Sequence, residues 1–209
     1  MRPGDRQRAG PPDDLFITGG SWREVNSGGW TPHALFLTCG QGSHREKLAS
    51  FELALRDASI ECYNLVPVSS ILPPRCELLE REAGLEQLQP GQVVPVVLAR
   101  FQSAVPGEQP GAAVGVAVPR DREHYGYLSE HHALGMGDQA LEDYVEDLAA
   151  EMLATTYGLE FDPDASWDEK RELWSIDNHI VRTRSVVQTT TVGVERRWTT
   201  VVAAAVLIL

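Results

Sequence analysis

Apolar runs recur along the chain, separated by glycine, proline and small polar residues. Their lengths and their β-branched content predict strands rather than helices. The runs are Ala34–Gly40, Cys62–Val68, Val93–Phe101, Ala112–Val118, His124–His132 and His179–Val187, with a terminal run from Val201 to Leu209. Pro95 lies inside the third and predicts an edge or a bulge there, because proline has no N–H to give a ladder.

Two segments carry the helical period instead. After Gly42, Ser43 and Glu46 form the S-x-x-E pattern of a capping box, and Leu48, Phe51, Leu55 and Ala58 follow at helical spacing. The second helix is expected from Asp138 to a stop at Gly158. Its apolar face is Leu141, Tyr144, Val145, Leu148 and Met152, and its acidic residues Glu142, Asp143, Glu146, Asp147 and Glu151 read as a solvated face. A polar stretch from Glu160 to Asn178 has room for a short helix from Asp168. Strands mixed with two amphipathic helices predict one α+β sandwich domain over 15–209, behind a disordered tail over 1–14.

Composition narrows the function. The net charge of -12 among 209 residues excludes a nucleic-acid binder, which needs a positive footprint, and would attract cations. The N-terminus lacks the apolar stretch of a signal peptide, and the apolar C-terminus is too short to span a bilayer as a helix. No membrane association is expected. Cys39, Cys62 and Cys76 form no CxxC pair; reduced thiols in the cytoplasm, each a small buried apolar residue, are the expectation. His131 and His132 are adjacent, so a strand turns them to opposite faces, and no metal site is assigned.

The remaining chemistry lies in "NLVPVSSILPP", Asn64 to Pro74. Taken locally it is a strand that ends on serines before a proline turn. Taken with its surroundings it is more specific. The helix "LASFELALRDA" precedes it. The "PGE" turn at Pro106–Glu108, "VAVPRD" at Val116–Asp121 and Glu130 follow in order. From about Leu48 to Gly158, and loosely onward, this arrangement resembles the pyruvoyl-dependent arginine decarboxylases.

The resemblance implies an αββα sandwich, assembled as a homotrimer or hexamer with active sites between subunits. It implies self-cleavage between Ser69 and Ser70, giving a β chain of residues 1–69 and an α chain of residues 70–209 whose first residue becomes a covalent pyruvoyl group. Such a cut needs a hydroxyl on Cβ, first as nucleophile and then as leaving ester oxygen. Pro73 and Pro74 would fix it near the carbonyl, and Asn64 would donate to the developing oxyanion. The pyruvoyl ketone would form a Schiff base with the α-amine of L-arginine, leading to agmatine and CO2, with Glu130 as the proton donor. Glu52 would receive the guanidinium, and Leu48 and Ile71 would complete the substrate pocket. The family has an aspartate where Glu52 stands, so the added methylene shortens the pocket unless the helix or a neighbour shifts. Tyr63 and Glu61 also replace smaller or apolar residues. The same chemistry on another amino acid, or an uncleaved assembly partner, is the alternative reading.

Overall fold

The computed structural model describes residues 30–158 and 180–209. The expected tail over 1–14, the start of the domain at residue 15 and the helix from Asp168 lie outside the described residues. Thr31–Leu209 form one compact unit.

Strand alternation builds two sheets. The first contains β1 (Ala34–His44), β2 (Asn64–Pro67), β4 (Glu77–Leu79), β5 (Val93–Ser103) and β9 (Trp198–Ile208), in the order β2-β5-β9-β1-β4. The second contains β3 (Ile71–Leu72), β6 (Pro110–Pro119), β7 (Gly126–Leu134) and β8 (Ile180–Thr189), in the order β3-β7-β6-β8 and antiparallel throughout. Helix α1 (Lys47–Asp57) covers the first sheet, α3 (Asp138–Thr156) covers the second, and the short α2 (Arg81–Leu85) packs beside β1. The layers are α, β, β, α, as expected.

The period of two explains why the central strands are apolar on both faces. In β9, Val201, Ala203, Ala205 and Leu207 enter the core between the sheets, while Val202, Ala204, Val206 and Ile208 pack toward α1. In β6, Ala112, Val114, Val116 and Val118 meet the first sheet, while Ala113 and Ala117 meet α3. The α3 face of β6 is made of small residues so that the helix can sit close. A Cβ at Gly115 would lie 2.3 Å from the Val145 carbonyl oxygen.

Several expectations are corrected. Ser43 belongs to β1 and pairs with Thr199, so there is no capping box. Helix α1 is capped at Glu46 without a side-chain bond, because pairing with β9 carries the strand past Gly40 to His44. The β2 ladder is shorter than Cys62–Val68, since a turn at residues 61–62 precedes it. For the same reason Cys62 is exposed, whereas Cys76 is buried between the sheets and its thiol is pushed up to about 12 by desolvation. Strand β7 starts two residues later than expected, because His124 closes a turn onto the Asp121 carbonyl.

In α3 the buried stripe is Leu141, Val145, Ala149 and Leu153, and Tyr144 is exposed. Glu142 and Glu146 are not simply solvated. Ser185 donates to Glu146 at 2.7 Å and to Glu142 at 3.3 Å, and Thr183 donates to Glu146 at 2.5 Å. Pro95 sits where β5 pairs with β2 alone, since pairing with β9 begins at Val96. Its missing N–H therefore breaks no ladder on that side. The "PGE" motif is a β-turn closed by Glu108 N–H on the Val105 carbonyl at 3.2 Å, with Gly107 at φ 84°. Proline and then a positive-φ glycine at the central positions is the type II pattern.

Candidate active site

The chain between β2 and β3 crosses from one sheet to the other. Strand β2 runs parallel to β5 from Asn64 to Pro67, and Val68 N–H adds one more bond to the Val96 carbonyl at 3.0 Å. Ser69 then stands exposed between the sheets. On the far side, Leu128 N–H donates to the Ser70 carbonyl at 2.8 Å, and Ile71 and Leu72 pair with Tyr127 and Gly126. Ile71 N–H also donates back to the Ser69 carbonyl at 2.9 Å. A bond from residue i+2 to residue i is a γ-turn, with Ser70 at its centre.

The grip beyond the serines is mostly strand pairing. A Cβ on Gly126 would lie 2.3 Å from the Ala117 carbonyl oxygen and 2.9 Å from Leu72 Cδ2, so only glycine lets β3 settle here. Pro73 is buried and its carbonyl receives Cys76 N–H at 3.2 Å. Arg75, at φ 61°, reaches Glu123 with two bonds of 2.7 and 2.5 Å. That guanidinium holds the Glu123 carboxyl below the usual carboxylate range.

Beside this crossing lies a cleft of about 660 Å³. Its walls include Phe51 and Leu55 from α1, Leu65 and Pro67 from β2, Val96 and Leu98 from β5, and Glu130 from β7. Leu128 points into the core between the sheets. Alternation therefore aims Glu130 and His132 toward the first sheet as well, and His132 packs on Phe101 with ring centroids 5.6 Å apart. His131 turns the other way, onto Tyr144 of α3 at 4.3 Å, and burial lowers its pKa. Opposite faces are what adjacency on a strand requires. Among the described residues no group of three or more His, Cys, Asp or Glu side chains is placed to hold a metal ion.

The cleft brings Asn64 and Glu130 together. Asn64 Nδ2 donates to the Gly91 carbonyl at 2.7 Å. Glu52 lies outside the cleft wall and forms a 2.5 Å ion pair with Arg56, one turn along α1. Leu48 is 78% exposed and Ile71 40% exposed, and neither lines the cleft.

Another lining residue carried no sequence signal for this place. Arg100 stacks its guanidinium over the Phe51 ring at 4.5 Å, a cation–π contact that props one wall. Tyr63 also lines the cleft, and burial pushes its phenol up. The backbone donors of Ile71 and Leu128 escaped notice because an N–H has no signature in a sequence.

Comparison with known proteins identifies the family. The profile of the family described as "Pyruvoyl-dependent arginine decarboxylase (PvlArgDC)" matches residues 34–209. A Methanosarcina mazei protein named pyruvoyl-dependent arginine decarboxylase 2 is 50% identical over 177 residues, covering 85% of this chain and 97% of the relative. A Nitrosopumilus maritimus pyruvoyl-dependent arginine decarboxylase is 47% identical, covering 84% of this chain and 96% of its own. A Chlorobaculum tepidum protein, named a probable member, is 48% identical, covering 86% and 98%. Two layered sheets between helices define the class, an α+β decarboxylase fold. The chain belongs to the pyruvoyl-dependent arginine decarboxylase family.

Membership implies a pyruvoyl group, and the residues present suit one. Ser70 would supply the hydroxyl, and the Ser69 and Ser70 carbonyls are held by backbone donors. An acid, Glu130, stands two residues past Leu128 on the same face of β7, about 7 Å along the strand.

Proposed function

We propose that the protein is a self-processing decarboxylase that converts L-arginine to agmatine and CO2, with its pyruvoyl group made from Ser70. The single observation that carries this is the position of the Ser69–Ser70 bond at the crossing between the sheets, two residues past Pro67 of the cleft wall that also includes Glu130, although neither serine lines the cleft of the single chain.

Processing follows from the residue types. The Ser70 hydroxyl attacks the Ser69 carbonyl and turns the amide into an ester. Loss of the Ser70 α-proton then expels the Ser69 carboxylate. One water replaces the nitrogen, which leaves as ammonia. Exposed Ser69 can withdraw as a new C-terminus while β1, α1 and β2 stay packed in and on the first sheet.

Once made, the group supplies a ketone conjugated to an amide carbonyl, an electron sink for decarboxylation. The protein supplies the rest. Phe51, Leu55, Leu65 and Leu98 exclude water around the reacting centre. Glu130 delivers the proton that goes to the substrate α-carbon after CO2 departs. Glu52 receives the guanidinium by exchanging its exposed partner Arg56 for the substrate, with Leu48 and Ile71 beside it.

Glu52, Leu48 and Ile71 lie outside the cleft of a single chain. We therefore infer that a second copy completes the pocket, in a homotrimer or hexamer of processed αβ units. The test is CO2 release and amine analysis with arginine, ornithine and lysine. Arginine is expected to turn over with agmatine as the product. An inert arginine beside an active ornithine or lysine would overturn the substrate.

A further inference from the structure

The γ-turn at Ser70 assigns a role to a group with no side chain. We infer that the backbone N–H of Ile71 is the oxyanion donor for the first step of self-cleavage, so the strand that anchors the new N-terminus also activates the bond to be cut. The inference rests on the self-cleavage proposed above.

Ile71 N–H already donates to the Ser69 carbonyl oxygen at 2.9 Å. That oxygen takes the negative charge when Ser70 Oγ adds to the carbonyl carbon. A donor in place before attack costs no reorganisation during it. Asn64, the side-chain candidate, spends an amide N–H on the Gly91 carbonyl at 2.7 Å.

The donor is also fixed. Ile71 and Leu72 are paired with Tyr127 and Gly126, and Ser70's own carbonyl is bound by Leu128 N–H at 2.8 Å. Upstream, Val68 N–H is tied to the Val96 carbonyl at 3.0 Å. The Ser69 peptide is thus stretched between two anchored points, and its carbonyl is turned toward Ile71. Ser70 is absent from the residues with positive φ, which places it in the inverse γ-turn, the common form.

The step balances without a co-reactant. A C–O bond forms between Ser70 Oγ and the Ser69 carbonyl carbon. The Oγ proton passes to the Ser70 nitrogen as the C–N bond breaks. The product is an ester with a free Ser70 amine, an isomer of the starting chain.

The test is an amide-to-ester exchange at the Ser70–Ile71 linkage of the full chain, which replaces the Ile71 N–H with oxygen and keeps the side chain. The control is the same exchange at Ile71–Leu72, which removes a backbone N–H from β3, one paired with β7, but keeps the donor. Intact mass over time, with and without hydroxylamine to split the ester formed by the acyl shift, reads the rate at residues 69–70. Fragments cut at the introduced ester differ in mass and are counted apart. The expected result is a roughly 100-fold slowing for the first variant, the range for loss of one oxyanion donor, with the control near the unmodified rate. Equal rates in both variants, whether slowed or unslowed, would overturn the inference while leaving the proposed function standing. An unmodified chain that never splits at this bond would overturn the proposed function itself.

Discussion

In the proposed function, Glu52 is the residue on which substrate choice turns. Its ion pair with Arg56 is solvent-exposed, with Glu52 44% and Arg56 62% accessible in their side chains. Pairs of this kind contribute little, because water screens them and two long side chains must be held. A substrate guanidinium offering two parallel bonds can therefore displace Arg56 at small cost. Glu52→Gln is expected to raise KM for arginine by about tenfold or more with a smaller effect on kcat, because it removes binding rather than chemistry; Glu52→Asp should recover most of it. Steady-state kinetics reads the split, and an unchanged KM would place the guanidinium elsewhere. Glu130→Gln should act oppositely. It should leave the chain cut at residues 69–70 but lower kcat by about 100-fold or more, within the range for loss of a general acid. A variant retaining full kcat would remove Glu130 from proton transfer.

Both acids could be singled out from the sequence because motif order marked them, and the cleft does contain Glu130. Glu52 could not be placed from its helical spacing. Phe51 and Leu55 occupy the cleft side of α1, which leaves Glu52 beside Arg56. A one-dimensional stripe does not say which of two neighbouring helix lines meets a wall.

At the scale of elements, docking of the two-residue β3 on β7 fixes the chain just past the Ser69–Ser70 bond proposed to be cut. Alternation made β6 and β9 legible, because each has ten or more residues with two apolar faces. It could not reveal β3, β4 or α2, whose two, three and five residues are too short to show a period. Those short pieces exist because longer neighbours pair with them. The capping box failed for the same reason, since pairing with β9 outweighed a local preference at Ser43. Gly126→Ala tests the docking directly. Its Cβ would collide with the Ala117 carbonyl and press on Leu72, so β3 must shift. Self-cleavage is expected to slow by at least tenfold, followed by intact mass, while the circular dichroism of the remaining sheets is retained. Normal cleavage in a folded Gly126→Ala chain would show that β3 does not hold the bond.

On the scale of the whole molecule, the exposed residues set the account. Leu48, Val66, Val68 and Ile71 are large apolar side chains left open in the single chain, flanking the crossing and α1. Light scattering after size exclusion is expected to give a mass of three or six processed units rather than one; a monomer that still decarboxylates arginine would refute the shared site. The layered architecture was readable because hydrophobic patterning acts over whole strands. The proposed completion of the site by a second copy has no such pattern, because residues such as Leu48 look like ordinary exposed residues until their neighbours are known. Among the described residues no helix is long and apolar enough to cross a membrane.

All of this depends on one covalent event. The most direct measurement is the intact mass of the purified protein under denaturing conditions, with and without a carbonyl-trapping hydrazine. The account requires two chains, residues 1–69 and 70–209, with the larger one beginning in a ketone that gains a single hydrazone. One uncut chain of 23.0 kDa that takes up no hydrazine would contradict it.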